Sequence, residues 1–186
     1  LNISASVKAY FALKAAGDDP DAPHMARARA AILAAGGAAR SNVFTRILLA
    51  LFEQVPWRAV PVMPVQIMVL PSWFPFQLNK VSYWSRTVIV PLLVIMAKKP
   101  RPVNPGALSI QELMVEPPEQ VKNWHVHVDG TFWGRFFRRL DGVLRPIELF
   151  FPRRQKSIEK AVAFVTERLN GEDGLGAIYP AMANSV

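Results

Sequence analysis

The chain has 186 residues, enough for a packed core, and its 51% hydrophobic and 19% charged residues exclude a disordered protein. Its longest apolar run, Val88 to Ala97, falls well short of the roughly 18 residues that a spanning helix needs, so no transmembrane helix is predicted. With no cysteine, disulfides and thiolate chemistry are excluded, and a net charge of +8 directs attention to anionic partners, lipid or nucleic acid. The N-terminus shows no charged region followed by a cleavage site. A start at Leu1 without methionine, and an end at Val186 inside what reads as an element, predict a fragment of a longer chain.

In chain order, Ile3, Val7, Tyr10 and Phe11 recur at helical spacing and predict an amphipathic helix from Asn2 to Ala16, stopped by Gly17. Asp21 as cap and Pro23 in the first turn predict a second, alanine-rich helix over Met25 to Ala35, ended by Gly36 and Gly37. Ser41 or Asn42 caps a third, with Phe44, Ile47, Leu48 and Leu51 as its apolar stripe. Prolines at 56, 61, 64, 71 and 75 then forbid a continuous helix or central strand, leaving an apolar irregular segment.

Helix resumes over Asn79 to Ala97, with a kink or break expected near Val90 because of Pro91. Ser109 to Glu112 matches a capping box opening one short turn. From Gly130 to Phe150, Phe and Trp alternate with Arg in a helix apolar on one side and basic on the other. The last clear helix, Arg154 to Leu169, carries Ile158, Ala161, Val162, Val165 and Leu169 as one stripe and stops at Asn170 and Gly171. Only Trp124 to Val128 alternates as a strand would, so the fold class is all-α, built of antiparallel helical hairpins.

The stretch from Pro71 to Met96 concentrates two tryptophans, two phenylalanines and a tyrosine, an apolar surplus with three readings: core, membrane contact, or a wall for a hydrocarbon substrate. On pattern alone, Phe44 and Trp84 are core residues. His125, His127 and Asp129 would share one face of a strand, but no further histidine or cysteine lies nearby to complete a zinc site. Asp18, Asp19 and Asp21 surround Pro20 as in a polar turn between helices, and no second acidic cluster exists to share a magnesium ion with them. Neither a phosphate-cradling glycine loop nor a nucleophile elbow occurs. The arginines from Arg135 to Arg154 fit a solvated helix face, a helix lying among lipid headgroups, or, less well, a nucleic-acid surface.

Four stretches, Leu1 to Gly17, Ser41 to Trp57, Leu70 to Leu92 and Glu172 to Val186, resemble the squalene-hopene cyclases, the bacterial class II triterpene cyclases. VFTR at 43–46, SYWSRT at 82–87 and GAIYPA at 176–181 carry the likeness. The resemblance implies a layered α/α-barrel (α-toroid), most of one barrel domain over about residues 1–150 with a membrane-facing segment at 55–97, and the start of a second from 151 to 186. It also implies protonation of squalene by an aspartic acid of a D-x-D-D motif and ring closure through carbocations, to hopene-type pentacyclic products, without cofactor or metal.

By the same resemblance, Phe44, Trp84, Ile178 and Tyr179 are substrate-binding residues, and Val81 and Ile89 flank the substrate channel. Some members carry glutamine at the position of Tyr179. Trp73, Phe74 and Phe76 are assigned to a membrane-facing rim from their amphipathic composition. No D-x-D-D occurs in these residues, and Asn170 to Gly176 is a degenerate copy of the family's glutamine-tryptophan turn, so no catalytic residue is assigned and the chain alone is expected to be inactive. The partners implied are squalene and one leaflet of a bilayer, with anionic lipids favoured and no nucleic acid, on the cytoplasmic side of a bacterial inner membrane; a homodimer is a further expectation. The alternative is a non-catalytic basic helical module binding anionic membrane surfaces.

Overall fold

The computed structural model describes residues 2–75, 77–100, 108–121, 124, 139, 142, 153–169, 175–176, 181–182 and 185. Among these the protein is helical, and no strand is found beyond one isolated antiparallel bridge between Leu169 and Leu175. The chain forms two compact units, each assembled from two separate stretches: 1–61 with 100–138, and 62–99 with 139–186.

The first unit opens with α1, Ile3–Ala15, capped by Asn2, whose side chain accepts from the Ala5 amide. The second helix, α2, Pro23–Ala34, starts with Pro23 in its first turn as expected, but Ala22 holds the cap position and makes no side-chain cap. Asp21 is instead drawn to its neighbours, its amide donating to Asp19 Oδ1 (2.9 Å) and its carboxylate meeting Arg29 (3.3 Å). Asp18 meets His24 at 2.8 Å, so the acidic cluster closes the turn between the two helices. Val7, Tyr10, Phe11, Met25 and Ile32 form the buried faces of α1 and α2. At roughly 1.5–3 kcal/mol for each large apolar side chain fully removed from water, they hold the pair together.

Helix α3, Val43–Leu51, is capped by Asn42, whose Oδ1 accepts from the Thr45 amide at 2.9 Å. Its buried face departs from the expected stripe: Ile47 is inside, but so are Thr45, Arg46, Leu49 and Ala50, while Phe44 points outward. Polar side chains can take these inner positions because partners await them. The Thr45 hydroxyl reaches the Ser4 carbonyl, and the Arg46 guanidinium donates to the Trp124 carbonyl. Burial lowers the Arg46 pKa from its ordinary value, and the guanidinium still keeps its charge.

The short turn Gln111–Leu113 returns to this unit from the second stretch. The expected capping box is only half made. Ser109 Oγ accepts from the Gln111 amide, but Glu112 does not reach back; its carboxylate takes Lys14 and the Tyr10 hydroxyl of α1. An ammonium and a phenol bind a carboxylate more strongly than one backbone amide does, which decides where the side chain goes. Gln54 fixes the same stretch from the other side, accepting from the Ile110 amide and donating to the Leu108 carbonyl.

The second unit begins with the proline-rich passage, which coils into short turns at Val65–Val69 and Leu78–Lys80. Helix α4 runs from Tyr83 to Lys98, shorter at its start than expected because Ser82, not Asn79, is its cap. It passes through Pro91 without a break, although Pro91 has no N–H to give to the Thr87 carbonyl. Pro91 is buried, as are Val90, Leu92 and Leu93 beside it, so packing holds the helix across the missing bond. Lys99, in the left-handed region at φ 47°, ends it.

Helix α5, Arg154–Thr166, lies in the same unit and lends Ile158 and Ala161 to a core with Val65, Met68, Leu78, Val90, Leu93 and Ala97. Phe164 and Val165 pack at its edge, whereas Val162 and Leu169, expected on the buried stripe, are exposed. Arg154 donates to the Ala97 carbonyl at the end of α4. The expected helix at 130–150, the strand-like 124–128 with its histidines and the stop at Asn170 and Gly171 lie outside the described residues, Trp124, Arg139 and Gly142 excepted.

Candidate functional site

The first turn of α4 builds the site. Ser82 has extended backbone, and its Oγ accepts from the Ser85 amide (3.3 Å) and shares a hydrogen bond with the Ser85 hydroxyl (2.8 Å), so the chain enters the helix at a fixed residue. Tyr83 and Trp84 therefore fall in the first turn. The helical period that turns Val90, Leu93 and Ala97 inward leaves Trp84 on the opposite side. Trp84 is 58% exposed and Tyr83 45%, where pattern alone placed Trp84 in the core. Their rings meet edge to face, centroids 5.6 Å apart at 76°.

Two residues that sequence reasoning did not single out stand against Trp84. Thr87 is fully buried, and its Oγ1 donates to the Trp84 carbonyl at 2.7 Å. Gly176, at φ 65°, brings the turn ahead of the AIYP segment onto the same place: a Cβ there would lie 3.6 Å from both Trp84 Cζ3 and Thr87 Oγ1. The structure thus joins SYWSRT to the beginning of GAIYPA, two stretches about ninety residues apart in sequence. Ile178 and Tyr179 themselves lie outside the described residues, as does Phe76.

The other candidates are spread along the same unit. Val81 is half-buried just ahead of the Ser82 cap, and Ile89 packs partly buried against the α4–α5 core. Trp73 is 76% exposed and stacks edge to face on Phe74, which is half-buried, with centroids 5.8 Å apart. Lys80 donates to the Phe74 carbonyl at 3.1 Å and holds that loop. Phe44 belongs to the first unit, on the outer side of α3, and at 57% exposure it too corrects the core assignment. The signal that could have found this is the run of small or polar residues next to each aromatic, Thr45 and Thr87, which supply the inward positions instead.

Chemically, the Tyr83–Trp84 pair offers π faces that attract a cation, and the Trp84 indole does so without a localised lone pair to capture it. Among the described residues no group of three or more His, Cys, Asp and Glu could hold a metal ion. None of the described helices is long and apolar enough to cross a membrane.

Residues 1–186 match the squalene-hopene cyclase N-terminal domain. The chain is 57% identical over 188 residues to the squalene-hopene cyclase of Zymomonas mobilis and 56% over 191 residues to that of Bradyrhizobium diazoefficiens, in each case along its whole length. A dammaradiene synthase of the fern Dryopteris crassirhizoma is 31% identical over 99% of the chain. The chain spans 28% of the length of the two bacterial relatives. With a match over all 186 residues and identities of 56% and 57% to the two bacterial relatives, the chain belongs to the squalene-hopene cyclase family.

Proposed function

We propose that these residues form the cavity-lining and membrane-contacting part of a triterpene cyclase that converts squalene to hopene-type pentacyclic products. The exposed indole of Trp84, outward on α4 and backed by the turn at Gly176, carries this reading. An aromatic face suits the stabilisation of a carbocation travelling along a folded polyene, because its quadrupole attracts the charge without offering a lone pair that would capture it. Phe44, Ile178 and Tyr179 serve as further substrate-binding residues, and Val81 and Ile89 border the channel that admits squalene.

In this reading the helical hairpins are part of layered α/α-barrels, and the reaction starts when an aspartic acid outside these residues protonates the terminal double bond. The chain by itself is inactive for want of that acid. Trp73, Phe74 and Phe76 contact one leaflet of the bacterial inner membrane from the cytoplasmic side, so that squalene passes from lipid to channel without crossing water. The decisive experiment completes residues 1–186 with the remaining segment of the Zymomonas mobilis relative and incubates the enzyme with squalene. Pentacyclic product from the completed enzyme, and incompletely cyclised products from its Trp84→Ala variant, are expected. An identical product profile from both would remove Trp84 from the cavity.

A further inference from the structure

We propose that Gly176 and Thr87 are positioning residues that together set the orientation of the Trp84 indole; the catalytic consequence rests on the cavity role of Trp84 proposed above. Within the described residues Trp84 is more than half exposed, so few of their side chains bear on its ring. What touches it is specific. On one side stands the Tyr83 ring, edge to face at 5.6 Å. On another stands the backbone of Gly176, close enough that a Cβ added there would rest in van der Waals contact, 3.6 Å from Cζ3.

Thr87 ties these together. Its side chain is fully buried, its Oγ1 donates to the Trp84 carbonyl at 2.7 Å, and the same Oγ1 is 3.6 Å from the position of a Gly176 Cβ. A threonine hydroxyl bonded back to the preceding turn takes one rotamer and tilts that turn, which aims the residue whose carbonyl it holds. Gly176 stands at φ 65°, a conformation glycine adopts without cost and asparagine tolerates. The turn therefore brings bare backbone up to the ring, where a Cβ would already be in van der Waals contact with it.

Fluorine NMR of the chain labelled with fluorotryptophan tests this, with the Trp84 line assigned from its loss in Trp84→Phe. Gly176→Asn keeps the backbone conformation and adds a side chain at the contact; it is expected to move the Trp84 line by more than its width and leave the other four tryptophans in place. Thr87→Val, which keeps the shape and loses the hydrogen bond, shifts or broadens the line, and Thr87→Ser restores it. A Trp84 line unmoved in both Gly176→Asn and Thr87→Val, with helicity unchanged by circular dichroism, overturns the proposal; if Gly176→Asn loses helicity, the Thr87→Val and Thr87→Ser pair decides.

In the completed enzyme, Gly176→Asn is expected to lower turnover on the order of tenfold, below the roughly 100-fold that a 1 Å misplacement can cost. A moved line with unchanged products keeps the positioning contact and removes Trp84 from the cavity. Altered products with an unmoved line do the reverse.

Discussion

Lys14 donates to the carboxylate of Glu112, a residue 98 positions further along the chain. The Tyr10 hydroxyl donates to the same oxygen at 3.1 Å, and Lys14 also reaches the Ser109 carbonyl, so one carboxylate and one ammonium fasten the returning stretch to α1. Burial raises the Glu112 pKa, but the hydrogen bond from Lys14, the backbone, the Lys14 charge and Tyr10 together outweigh it and hold the carboxyl below its usual range. For Tyr10, burial and then the Glu112 carboxylate push the phenol up.

A pH dependence follows from these directions. A carboxyl with a lowered folded pKa contributes stability that is present above its unfolded value, about 4.3, and is lost as pH falls through the folded value. Thermal melts followed by circular dichroism are expected to show that acid loss. In Glu112→Gln the loss is absent and stability at neutral pH is lower by about 1–2 kcal/mol, because Lys14 keeps a weaker, neutral partner. The raised phenol of Tyr10 has the opposite sign: its contribution is intact below about 10 and lost as pH rises through the folded value, and Tyr10→Phe removes that alkaline loss.

Leu93 is fully buried between residues of α4 and α5 in the second unit. Leu93→Ala is expected to cost about 2–5 kcal/mol, through lost burial and the cavity left behind. Val162→Ala, on the exposed side of α5, is expected to stay within about 0.5 kcal/mol. Denaturant titration of both variants separates the observed buried face from the stripe the sequence pattern proposes.

Trp73 tests the proposed membrane rim. At 76% exposure its removal costs the fold little, so Trp73→Ser is expected to leave the melting temperature near that of the parent while reducing sedimentation with liposomes several-fold. Equal sedimentation of the two proteins would refute a lipid contact for this residue.

In the completed enzyme, Trp84→Phe is expected to retain more cyclisation than Trp84→Ala, since a smaller aromatic face still attracts a cation and a methyl does not. Product ratios by gas chromatography measure this. Equal losses would make indole bulk, not its π face, the relevant property.

Local signals made much of the helical content legible. Asn2, Asn42 and Gly17 mark helix ends through chemistry that belongs to a few residues, so α1 and α3 begin where the sequence places them. Which face of a helix is buried is less legible when apolar residues surround it. In α3 the stripe reading fails because Arg46 and Thr45 find distant partners, Trp124 and Ser4, that no local pattern reveals. Glu112 leaves its capping box for the same reason. Of the candidate site around Trp84 the sequence singles out the aromatic, but not Thr87 and Gly176, which come into contact only because a turn some ninety residues away folds back onto α4.

The interleaving of the two units has a consequence for synthesis. A ribosome delivers residues in order, yet the first unit draws on 1–61 and on 100–138, with the opening of the second unit made in between. Tyr10 and Lys14 must wait through nearly a hundred residues of translation, several seconds at least, before Glu112 leaves the exit tunnel. During that interval Val7, Phe11 and Ile32 have only early neighbours to cover them. The first two helices therefore stand unfinished until the returning stretch arrives.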